Sequence, residues 1–92
     1  MENVNVSKIQ QKIAGTQFAN DLEQPLDING VVSSRGYYNL ILSIRDLKLF
    51  TVGIKPHRLW KLKNVKTYFN VSGNTQAVLQ QLEAIKTALP EL

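Results

Sequence analysis

The side chains that could do chemistry in this sequence are concentrated in one stretch. Eight of its eleven Lys and Arg residues fall between Arg35 and Lys66, and Asp46 is the one acid among them. That stretch nets +7, while the residues before it net −2 and those after it net −1. It also holds Tyr37, Tyr38, Phe50 and Trp60, four of the seven aromatics. Cations answer a phosphate backbone by charge, and aromatic rings interleaved with them can stack on bases. Arg45, Lys48, Lys55, Arg58, Lys61, Lys63 and Lys66 are therefore the expected backbone contacts, with Trp60 set among them. Such contacts position a chain on a nucleic acid without reading its sequence.

Other chemistries find no constellation. The chain has no cysteine, which excludes disulfides and thiolate metal sites. His57 is the single histidine, and no acid stands near it in sequence to orient it or to complete a metal shell. The seven acids are scattered and form no calcium loop or acid–base pair. The five glycines are isolated, so no phosphate-cradling loop is present. A non-enzymatic protein without metal or cofactor is expected.

The elements that must carry the basic stretch follow from pattern. Ninety-two residues make one domain, residues 1–92, with a core of modest size. The opening reads as a broken helix. Ser7 can cap KIQQKIA, Gly15 interrupts, and Thr16 can cap a second turn with Phe18 and Leu22 at i, i+4. Pro25 stops it. An edge strand over Asn3–Val6 is the alternative. Asn29-Gly30 is the best two-residue hairpin signal. A turn at Ser33–Gly36 is favoured over it, because that turn gives the next segment a partner. Tyr37–Ile44 and Leu47–Ile54 are rich in β-branched and aromatic residues and read as two strands turning at Arg45-Asp46. Leu59–Lys63 suits either a short strand, with Trp60 capping the core, or the start of a helix that exposes Trp60. From Asn64 the pattern is helical. The last helix is TQAVLQQLEAIKTAL, capped by Asn74 or Thr75 and striped by Val78, Leu79, Leu82, Ile85 and Leu89. The expected fold is α+β: a small antiparallel β-meander of two or three strands packed against C-terminal helices, with an N-terminal helix over a sheet edge.

Residues Asn64–Leu82, NVKTYFNVSGNTQAVLQQL, resemble the SAP motif, a short helix–extended loop–helix module. Val65, Tyr68 and Val71 match its first-helix and turn positions, Gly73-Asn74 its loop, and Val78, Leu79 and Leu82 its second helix. The resemblance implies nucleic-acid binding, often to A/T-rich duplex. Thr75 and Gln81 stand where the family usually carries lysine and arginine.

Together these features predict a small nucleic-acid-binding protein working through residues 35–66. The alternative is an interaction or regulatory subunit whose aromatic and apolar surplus docks on an acidic protein. No segment has the build of a signal peptide or a membrane span, so a cytoplasmic location is expected. An open sheet edge would also let two copies pair.

Overall fold

The computed structural model describes residues 6–28 and 30–89. The chain starts with two short helices, α1 (Val6–Ile13) and α2 (Gln17–Leu22). Thr16 makes the corner between them. Its Oγ1 accepts from the Ala19 N–H at 3.0 Å and donates to the Ile13 carbonyl at 2.6 Å, serving the end of one helix and the start of the next. Ser7 lies within α1 rather than capping it, and Asn3–Asn5 of the alternative strand lie outside the described residues.

The strands are β1 (Pro25–Ile28) and β2 (Val31–Ser34), paired antiparallel with Ile28 opposite Val31. Their turn therefore falls at the Asn29-Gly30 signal and not at Ser33–Gly36. Gly30 takes φ +84°, and its N–H donates to Asp27 Oδ1 at 3.0 Å. Asn29 itself lies outside the described residues.

The largest departure from expectation follows. Residues 37–54 are not a hairpin but mostly one helix, α3 (Arg35–Thr51). Ser34 caps it, accepting from the Tyr37 N–H at 3.0 Å. Leu40, Ile44 and Leu47 recur at helical spacing and are all buried, with Gly36 one turn earlier on the same face. Arg45-Asp46 cannot make a tight hairpin turn cheaply, because both favoured turn types need φ > 0 at the first central position and Arg45 stands there. The chain reverses instead at Gly53, φ +85°, where the Ile54 N–H reaches back to the Leu49 carbonyl at 3.0 Å.

After an irregular segment come α4 (Leu62–Phe69) and α5 (Thr75–Ala88). Asn70, in the left-handed region at φ 56°, ends α4, and the Val71 N–H bonds the Lys66 carbonyl at 3.0 Å. Asn74 caps α5, its Oδ1 accepting from the Ala77 N–H at 2.9 Å. Helix α3 lies along α5, with α2 crossing α3 near Gly36. Helix α1 rests on α5 rather than on a sheet edge. The core is closed by Phe18, Leu40, Leu47, Phe69, Val78 and Leu82, each fully buried. The α+β class holds, with a single two-stranded hairpin and the helices supplying most of the core.

Candidate nucleic-acid interface

With Arg35–Thr51 helical, the basic stretch is dealt out over three supports. Arg45 and Lys48 sit on α3. At 100° per residue they occupy its outer and α5-facing flanks, away from the Asn39–Leu42–Asp46 flank. Both are partly matched by acids. Arg45 Nη2 lies 3.0 Å from Asp46 Oδ1, and Lys48 Nζ lies 3.9 Å from Glu83 Oε2. Exposed pairs of this kind contribute little to stability, but they lower the charge left for a partner.

Lys55 and Arg58 project from the irregular segment 54–61, and both are exposed. Lys61 and Lys63 are exposed at the start of α4. None of these four pairs with a carboxylate among the described residues. Lys61 occupies the N-cap position and makes no capping bond, and the first turn of α4 contains no acid. Two cations thus stand at the positive end of a helix, where local electrostatics and cap chemistry favour Asp, Ser or Asn. Lys66 is the opposite case. It is half-buried in the last turn of α4, where a cation suits the helix dipole.

Trp60 is not an exposed stacking platform. It is 7% exposed, with its ring tilted against Phe50 at a centroid distance of 4.7 Å. Leu59–Lys61 is irregular, and Leu62 opens α4. Neither the strand nor the helix from Leu59 forms, yet Trp60 still caps the core between α3 and α4. Tyr37 and Tyr38 are partly exposed near the start of α3, remote in sequence from the four free cations.

A groove of about 380 Å³ runs between α3, α4 and the segment 57–61. Asn39, Ser43, Asp46, His57, Lys61 and Asn64 give it a polar rim over Leu42, Trp60, Val65 and Phe69. His57, the lone histidine, thus joins Lys61 among the exposed residues that line it. Among the described residues no three His, Asp or Glu side chains gather to hold a metal.

Beside this groove lies a part-buried network that local patterning does not reveal, because its main members are far apart in sequence. The Tyr68 hydroxyl donates to Asp21 Oδ2 at 2.6 Å and accepts from Asn39 Nδ2 at 2.9 Å, tying α4 to α2 and α3. Gln17 Nε2 donates to the other carboxylate oxygen at 3.0 Å. The bond from Tyr68 holds the Asp21 carboxyl below its ordinary value of 3.8 against the opposing effect of burial, and Gln17 and the charge of Arg35 add to it. Burial pushes the Tyr68 phenol up from 10.0 to about 12. The bond to Asp21 and the charge of that carboxylate reinforce the rise, while the bond from Asn39 opposes it.

The two shifts give stability of opposite pH dependence. The Asp21 contribution is present above the unfolded carboxyl's pKa and is lost as pH falls below 3.8 through the folded value. The Tyr68 contribution is present below pH 10 and is lost as pH rises toward about 12. Tyr68→Phe is expected to lower the urea midpoint at pH 7. The gap to wild type should narrow in acid below 3.8 and again between 10 and about 12. A gap independent of pH at both ends would show that the network does not couple the two groups.

The geometry is thus a cationic loop and helix start beside a mixed groove. Comparison with known families, curated proteins and solved structures finds no match to this chain. The site therefore rests on its own physical chemistry. No helix among the described residues is long and apolar enough to cross a membrane.

Proposed function

We propose that this protein is a small non-enzymatic nucleic-acid-binding protein that grips the phosphate backbone with Lys55, Arg58, Lys61 and Lys63. One observation carries the reading. Four exposed cations within nine residues lack carboxylate partners among the described residues, and two of them stand at the wrong end of a helix for its dipole. A bound phosphate would supply the anion that this turn lacks. Arg45, Lys48 and Lys66 have local explanations and are set apart from this group. The SAP-like resemblance of Asn64–Leu82 supports the same class of ligand, and the absence of cysteine suits a reducing, cytoplasmic setting.

Four phosphate contacts predict a log–log salt slope of about −3.6 on duplex DNA and about −2.8 on single strands. Raising salt from about 50 to 200 mM should then weaken duplex binding about a hundredfold. Fluorescence anisotropy of labelled oligonucleotides reads this directly. Replacing Lys55, Arg58, Lys61 and Lys63 together by Ala should flatten the slope toward zero, with the thermal midpoint little changed. Unchanged affinity and slope in that variant would refute the proposal.

A second reading draws on Val52 and Leu59, each 71% exposed, and Ile54, 51% exposed, which lie among the same cations. Apolar residues inside a charged rim suit an acidic protein partner. That partner would give a shallow salt slope and a loss on Val52, Ile54 and Leu59 substitution, which phosphate tracking would not. Pairing of two copies is a corollary that sedimentation would test.

A further inference from the structure

The mixed groove between α3, α4 and the segment 57–61 has features that phosphate tracking alone does not use. Trp60, one of its lining residues, is almost fully buried, but its indole Nε1–H has no acceptor among the described residues and is not sealed from solvent. A tryptophan donor in the core ordinarily finds a partner. Here the ring is packed and the donor is left open. Asn64, on the facing helix, makes no side-chain hydrogen bond among the described residues, so both donor and acceptor capacity are unspent. Asn39 gives one amide hydrogen to Tyr68, and its carbonyl oxygen has no donor among the described residues. Asp46 is held by Arg45 through Oδ1 alone, leaving Oδ2 as an acceptor. His57 and Lys61 stand at the rim.

We infer that this groove receives one unpaired base of a single-stranded nucleic acid, with the adjoining phosphate held by Lys61 and His57. The inference rests on the phosphate-contact reading above and specifies it further. A base would set one flat apolar face on the partly exposed Leu42 and the exposed Leu59, which cover the buried Trp60, Val65 and Phe69. Its edge carries both donors and acceptors, which a groove with an open N–H, two amides and a carboxylate oxygen can answer. An exocyclic amine suits Asp46 Oδ2, and a ring nitrogen or carbonyl suits the Trp60 N–H. The groove's volume falls at the lower end of the range for small-ligand sites, about 300–1,000 Å³. A paired base shows neither its faces nor its pairing edge, so duplex would gain nothing from the groove. An aliphatic peptide side chain would leave the polar groups unanswered.

The test uses the full chain with a labelled CA-repeat single-stranded 12-mer and the matching duplex at about 50 mM salt, where phosphate contacts are strong. Trp60 is the only tryptophan, so its indole N–H gives one assignable signal in a nitrogen–proton NMR spectrum. The single strand should shift that signal saturably, and the duplex should not. Asn64→Ala should weaken single-strand binding about tenfold and leave duplex binding unchanged. Thr67→Ala, an exposed neighbour outside the groove, should change neither. Equal binding of both forms, with the indole signal unmoved and Asn64→Ala silent, would overturn the base site and leave the phosphate reading intact. No binding of either form would remove the phosphate reading and the base site with it.

Discussion

Phe18→Ala should lower the free energy of unfolding by about 3–5 kcal/mol. A chain of this size has roughly 5–14 kcal/mol in all, from typical per-residue stabilities, so the loss is a large share. Phe18 is fully buried on α2, a helix of six residues that cannot persist alone. Its ring lies 4.8 Å from that of Phe69 and 6.0 Å, edge-on, from that of Tyr68. Truncation removes the burial of the ring and leaves a cavity walled by two other aromatics, which cannot collapse without moving α4. It also releases the anchor that keeps Asp21 within reach of Tyr68. Urea denaturation gives the magnitude, and Phe18→Leu should cost distinctly less because it refills most of the space. A loss under about 1 kcal/mol for the alanine variant would mean that α2 is not docked by this ring.

The contrast between α5 and α3 shows which physical signals were readable. Helix α5 was legible because every local cue agreed: an Asn cap, three helix-favouring alanines, and one apolar stripe. The break at Gly15, the Thr16 cap and the buried Phe18 were readable for the same reason. In α3 the cues conflicted. Tyr38, Leu40, Leu42 and Ile44 alternate like a strand, while Leu40, Ile44 and Leu47 repeat like a helix. Propensity favoured the strand and burial chose the helix, as tertiary packing can override residue preference. Two clues point the right way: Ser34 three residues before Tyr37, and an arginine at the first turn position of Arg45-Asp46, where φ > 0 would be needed. That error spread to the site. With Arg45 in a hairpin turn and Lys48 on a strand, both belong to one basic surface with the cations after Pro56; on α3 they turn to other flanks. The Asp21–Tyr68–Asn39 network had no sequence signature at all, because separations of 47 and 29 residues are joined only by packing.

Gly36→Val should cost 3 kcal/mol or more, and even Gly36→Ala should destabilise by about 1–3 kcal/mol. On an exposed helix the alanine change would stabilise, by up to about 1 kcal/mol. The sign reverses here because α3 crosses α2 backbone to backbone. A Cβ at Gly36 would stand 2.6 Å from the Leu22 nitrogen, 2.9 Å from its Cα and 3.0 Å from the Asp21 carbonyl carbon. None of these atoms can rotate aside, so the helices must part. The added β-branch of valine deepens the clash and adds the helix penalty of a stiff side chain. Parting the helices also draws Asp21 away from Tyr68, since Asp21 and Leu22 are the residues at the crossing. The variant therefore carries a second signature: the phenol that titrates near 12 in the wild type should titrate earlier in Gly36→Ala. Denaturation and an ultraviolet titration of the tyrosines would read both. A stabilised Gly36→Ala with an unmoved phenol would show that α2 does not cross α3 at this point.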